Sequence, residues 1–194
     1  MKKNVTSFIV KTALLAAIGV VLTLIEFPLP FMPPFLQFNV ADIPSILAGF
    51  AGGPWMAVAV VLLKNILFTA IRFSTQQLVG CAANILIGLA YALPAAILYK
   101  KHHDRKHAVI GMLIGSASMI LTAIVANWFI LIPAYAAMMH VDIEGILAMT
   151  GMPVFGSMAG YLLLAVLPFN LLRSVVMSLI TRFIYKPLSP LLHK

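Results

Sequence analysis

Long apolar runs separated by prolines and basic clusters dominate this chain. The first extends from about Phe8 to Ile25. Pro28, Pro30, Pro33 and Pro34 stop it, because proline cannot donate the helical hydrogen bond, and an extended loop is expected there. Asp42 then offers an N-cap ahead of Ile43 and Pro44, opening a short helix that ends at Gly49 to Gly53. That helix is too short for a regular membrane crossing. Unsatisfied backbone at membrane depth is tolerated only inside protein or beside a cavity, so the preceding loop is expected to fold inward and leave a cavity near residues 31 to 44.

From Pro54 a helix returns to about Arg72, and a polar turn, Ser74 to Gln77, leads into a span ending at the Lys100 cluster. The next span covers about Ala108 to Ile132 and is expected to end at Pro133, leaving residues 134 to 151 as an outer loop. The apolar stretch Met152 to Thr181 would reach about 45 Å as one helix, too long for a ~30 Å hydrocarbon core. Pro168 is therefore the expected break, with the piece before it lying against the outer face. The pattern predicts an all-α membrane protein of six transmembrane helices with a structured extracellular first loop, forming a single transmembrane domain over residues 1–194.

Composition agrees with that reading. Of 194 residues, 62% are hydrophobic and only 9% charged, which leaves no room for a separate soluble domain. The net charge of +8 invites a nucleic-acid reading until the basic residues are placed. Lys2, Lys3 and Lys11 form one cluster, Lys100, Lys101, Arg105 and Lys106 a second, and Arg182, Lys186 and Lys194 a third. By the positive-inside rule all three face the cytoplasm, which puts both termini there and Glu26, Asp42, Asp142 and Glu144 outside. The expected location is a cell membrane, as a multi-pass protein with the lipid bilayer and not nucleic acid as its surroundings. No small-x-small cleavage site precedes the proline-rich segment, so the first apolar run reads as a retained helix. The single cysteine, Cys81, has no partner within the chain for a disulfide.

Polar side chains inside spans are costly and face a bundle interior, a partner or a ligand. Counted from the inner boundary, Asn84 lies roughly 24 Å up and Asn127 roughly 28 Å up, with Asn170 and Arg173 in the outer third and Lys64 near mid-depth. Gln37, Asn39 and Asp42 add to the same layer from the loop. Asn170 and Arg173, three apart, share a helix face and offer an amide and a fixed cation to a planar polar ligand. Phe31, Met32, Phe35, Phe38, Trp128 and Phe129 are expected around this layer, where together they can stack on a flat ring, although each alone reads more readily as a core or lipid contact and Trp128 as an interfacial anchor. Ala13 and Ala17 of the first helix, with Ala16 and Gly19 beside them, have the small-xxx-small spacing of close helix approach, within the chain or to another subunit.

Catalytic signals are thin. No GxxxxGK[ST] phosphate loop is present, so energy for uphill transport must come from elsewhere. His102, His103 and His107 cluster in a lysine-rich loop that reads as solvated and not as a metal site. His140 and His193 are isolated. Ser157 sits between Gly156 and Gly160, but no histidine lies at membrane depth to activate it. The chain reads as a non-enzyme without cofactor.

The segment FPLPFMPPFLQFNVADIPSILAGFAGGPWMAVAVVLLKNIL resembles the riboflavin-specific S-components of energy-coupling-factor (ECF) transporters. The likeness continues through VGCAANILIGLAYALPAAILYK, ANWFILIPAY and LPFNLLRSVVMSLITRFIYKPLSPLL, covering most of the chain. The resemblance implies six helices that bind riboflavin, as transported ligand, from the outside. It also implies docking on a transmembrane coupling subunit with two ATPases, which raises Ala13 and Ala17 as contacts to that subunit. Polar residues of the last two helices hold the isoalloxazine ring in this family, and their positions match Asn127, Asn170 and Arg173. With Asn84, Lys64, Gln37, Asn39, Phe35 and Met32, these are the expected substrate contacts. The chain departs from the better-known members at Arg173, where lysine is expected, and in reading QFN before AD. An S-component for thiamine or pantothenate is the nearest alternative. A stand-alone secondary transporter ranks lower, because no inverted internal repeat is evident.

Overall fold

In a computed structural model the chain is described over residues 5–30, 32–33, 36–150 and 156–192, with Gln76 and residues 186–192 described by backbone alone. Helix α1 covers Val5–Leu24. The proline-rich loop after it closes as a small antiparallel hairpin of β1 (Phe27–Pro28) and β2 (Gln37–Phe38), in which Phe27 pairs with Phe38. Short α2 (Ile43–Gly52) stops at Gly53, whose φ of 85° suits a residue without Cβ. Pro54 opens α3 (Pro54–Ile71), and Ser74 caps α4 (Thr75–His102) by accepting a hydrogen bond from the Gln77 N–H.

Two expectations about prolines do not hold. Pro133 does not end a helix: α5 (Arg105–Ala126) runs through a π-helical turn, Asn127–Leu131, into α6 (Ile132–Met139) as one rod of 35 residues. Residues 134 to 151 are accordingly not all loop, since α6 and then α7 (Ile143–Ala148) occupy much of them. Pro168 does not break the last helix either. There α8 (Met158–Tyr161) continues through a second π turn, Leu162–Val166, into α9 (Leu167–Leu192). The reason is shared. A proline removes one amide and crowds the carbonyl four residues earlier, and widening the preceding turn relieves both without breaking the rod.

Among the described residues five helices are long and apolar enough to cross a membrane, and α2, at 10 residues, is a shorter apolar helix beside them. The core gathers side chains from α2, α4, α5 and α9, with fully buried Ile46, Tyr91, Met119 and Met177. Helices α4 and α5 approach most closely at Gly111 and Gly115. A Cβ at Gly111 would sit 2.8 Å from Ala95 Cα, and one at Gly115 would overlap the carbonyl oxygen of Tyr91. Ala16 and Gly19 face inward on α1, whereas Ala13 and Ala17 are exposed beside Val10, Leu14 and Val21.

Candidate functional site

At the end of the bundle where the β1–β2 hairpin folds over, a cavity of about 250 Å³ is enclosed by residues of the hairpin and of α3, α4, α6, α9 and the first π turn. Its polar wall brings together Asn84, Asn127, Asn170 and Arg173, with Gln37 and Asn39 from the loop. Phe68, Ile87, Leu131, Tyr135 and Phe169 supply apolar faces. Six of the nine expected substrate contacts thus share one hollow. Their convergence follows from helix geometry: Asn170 and Arg173 are three apart on α9 and point the same way.

The two π turns adjoin the buried asparagines. Asn127 opens one turn, donates its amide to the Ala123 carbonyl at 2.8 Å and accepts from the Tyr161 hydroxyl at 2.9 Å. Asn170 donates to the carbonyl of Val166, the last residue of the other turn, at 2.8 Å. Among the described residues its Oδ1 accepts no hydrogen bond, and Asn84 forms none, so both amides are available to a ligand.

Arg173 is buried and held from one side. Its Nη2 donates to Asp42 Oδ2 at 2.9 Å and to Asn39 Oδ1 at 3.1 Å, while its Nε is buried without a partner. Lys64 Nζ takes the other oxygen of Asp42 at 2.6 Å. Gly88 and Gly19 make room for this cluster, a Cβ at the first lying 3.0 Å from Asp42 Oδ1 and one at the second 3.1 Å from Lys64 Cδ. Asp42 therefore does not cap α2 as expected, and it does not lie in the outer loop solvent. Its backbone is helical and its side chain makes no cap hydrogen bond, because the carboxylate is committed to two buried cations.

The remaining expected contacts lie elsewhere. Lys64 is absent from the cavity wall, its ammonium turned to Asp42. Met32 packs against the main core. Phe35, like Phe31, lies outside the described residues. Trp128 and Phe129 are largely exposed on the outer surface of the π turn. Phe38 instead meets Phe27 and Phe169, at ring separations of 5.6 and 6.3 Å.

Glu26 also borders the cavity and pairs with Arg72 at 3.2 Å. Partial burial pushes its carboxyl up from the ordinary range, against the pull of Arg72, Arg173 and the Asn39 amide. Sequence reasoning passed over Glu26, Tyr135, Tyr161 and Asp42's ionic role. Asp42 alone carried a usable signal, a lone acid that can balance Lys64 and Arg173.

Ser157 caps α8 by accepting from the Gly160 N–H, which accounts for it without catalysis. His102 stacks on His107, whose ring meets Asp104 at 2.6 Å, and among the described residues no group of three His, Cys, Asp or Glu side chains could hold a metal ion.

Comparison with known proteins agrees with this architecture. The chain is 30% identical to the riboflavin transporter RibU of Staphylococcus aureus (strain TCH60), over 96% of this chain and 92% of that one. It is 31% identical to the riboflavin transporter FmnP of Bacillus subtilis (strain 168), over 94% and 92%. A solved structure of the S component of a bacterial ECF transporter superposes with a TM-score of 0.75 and 31% identity, covering 97% of this chain and 99% of that one. The family of ECF transporter substrate-specific components matches residues 7–185, and the chain belongs to that family.

Proposed function

We propose that the chain is the riboflavin-binding subunit of an ECF importer. It takes the vitamin from the extracellular side into the cavity beneath the β1–β2 hairpin and delivers it inward with the coupling subunit and two ATPases. The observation that carries this reading is the convergence of Asn84, Asn127, Asn170 and Arg173 on one hollow with aromatic and aliphatic faces. Flavins suit such a wall. The pyrimidine edge of isoalloxazine alternates carbonyl and N–H groups, which pair with amides and a guanidinium, while the ring faces pack on Phe169 and Leu131.

At about 250 Å³ the hollow is just below the usual ligand-site range of about 300–1,000 Å³, so riboflavin entry displaces the Leu36–Asn39 segment outward. Asn39 links that segment to Arg173, giving the loop a latch that responds to the ligand. In this reading α2 is a short second crossing, the basic ends face the cytoplasm, and Ala13 and Ala17 meet the coupling subunit. Residues 1–194 act as one substrate-binding unit in the bacterial cytoplasmic membrane.

Purification from riboflavin-fed cells tests the reading. A yellow preparation that, once stripped, quenches the fluorescence of added riboflavin supports it. A colourless protein that leaves flavin fluorescence unchanged contradicts it, and binding of thiamine in its place would assign a different vitamin.

A further inference from the structure

A second cavity, of about 420 Å³, opens at the opposite, basic end of the bundle, with Arg105, Lys106, Met112, Thr181 and Arg182 among its walls. It shares Val109, Met112 and Arg182 with an apolar groove of about 250 Å³ between α5 and α9, so the two hollows form one cleft. The groove follows α9 from Arg182 back to Leu171, about 16 Å along the helix, which matches much of a long acyl chain. Leu113, Val175 and Leu179 in its walls are 46–63% exposed and face the surroundings of the bundle.

Charge is arranged along this cleft. Arg105, Lys106 and Arg182 stand at one end, and among the described residues none of them is in an ion pair and no carboxylate lines either hollow. Asp104, the nearby acid, is turned to His107, accepting from its backbone N–H at 2.7 Å and meeting its ring nitrogen at 2.6 Å. Thr181 adds a buried hydroxyl that has no hydrogen-bond partner among the described residues. The face is separate from α1, which packs on α2 and α3.

We propose that this cleft is a binding site for an anionic phospholipid, with the phosphate against Arg105, Lys106 and Arg182 and one acyl chain in the α5–α9 groove. The sign of the headgroup follows from the wall: three unpaired cations attract a net negative lipid, while a choline group would find no anion to meet it.

Native mass spectrometry of the full chain, loaded from mixed micelles with equal amounts of phosphatidylglycerol and phosphatidylcholine, tests the site. Phosphatidylglycerol is expected to be retained at least about tenfold over phosphatidylcholine. The triple variant Arg105→Gln, Lys106→Gln, Arg182→Gln is expected to abolish that preference. Val175→Trp, which fills the groove and keeps every charge, is expected to lower retention of both lipids. Thermal melts check that each variant is folded, and Lys106→Gln and Arg182→Gln alone give the same readout if the triple variant melts early. Equal retention of the two lipids overturns the proposal, as does displacement of bound phosphatidylglycerol by excess inorganic phosphate, which marks a free-anion site. Unchanged retention in folded Val175→Trp overturns it too, since the lipid then only coats the surface.

Discussion

Asp42 joins the cavity to the helix behind it: one oxygen holds Arg173 at the wall, and the other holds Lys64. Removing that charge leaves two buried cations facing each other. Asp42→Asn is expected to cost about 3–5 kcal/mol, seen as a lower melting temperature in detergent, and to weaken riboflavin quenching because Arg173 loses its anchor. A melt equal to wild type would show the ion cluster to be dispensable. Arg173 is the donor with most at stake. Arg173→Met is expected to weaken riboflavin binding by about 10- to 100-fold, the worth of a charged hydrogen bond. Arg173→Lys keeps the charge but cannot present a planar guanidinium to Asp42, Asn39 and the cavity together, so it should fall between the two. Equal affinity in all three, measured by fluorescence quenching, would remove Arg173 from the site. The polar layer itself was legible in the sequence, because amides and a cation in spans are costly enough to need a reason. The partner of Arg173 was not, since a residue before a short helix reads as a cap and only the fold shows what its carboxylate meets.

Elements were legible where apolar runs are long, even through Pro94 inside α4, and misread at Pro133 and Pro168. Pro133 and Pro168 signal helix ends by their missing amides, yet each follows a π turn that lets the rod continue, and such widening leaves no mark in apolar periodicity. Asn127 opens one of these turns, and Asn170 donates to the last residue of the other. Helix packing gives a sharper test at Gly115, where any Cβ overlaps the Tyr91 carbonyl. Gly115→Ala is expected to cost about 1–3 kcal/mol through overpacking between α4 and α5, read from the thermal melt, whereas an unchanged melt would contradict the close approach. The turn between these helices adds a pH dependence. Hydrogen bonds from the His107 backbone and ring hold the Asp104 carboxyl below its ordinary range. Its contribution to ordering the start of α5 is therefore present above the unfolded carboxyl pKa and lost as pH falls through the lower folded value. Amide exchange at Lys106 and His107 should accelerate, relative to the rest of α5, in acid below the ordinary carboxylate range, and Asp104→Asn should flatten that response. An identical pH response in the variant would assign it to another group.

At the scale of the whole molecule the proposed function assigns separate tasks to two faces. The cavity lies under the hairpin at one end, while Ala13 and Ala17 are exposed on α1, the strip proposed above to meet the coupling subunit. Ala13→Leu with Ala17→Leu is expected to leave riboflavin binding by the isolated chain unchanged and to abolish its capture by a coupling subunit. Weakened binding by the isolated chain would show that α1 serves the cavity and not the partner. The number of crossings and the inner and outer sides were argued from charge clusters, and the bundle adds five long helices and the short α2 to that picture. The cavity under the loop was expected from the shortness of α2 alone. The most direct measurement is a structure of the chain with riboflavin bound. The isoalloxazine ring is expected in the cavity, with its pyrimidine edge within hydrogen-bonding distance of the Arg173 guanidinium and the amides of Asn127 and Asn170. A ring seated elsewhere in the bundle, or density only outside that wall, would contradict it.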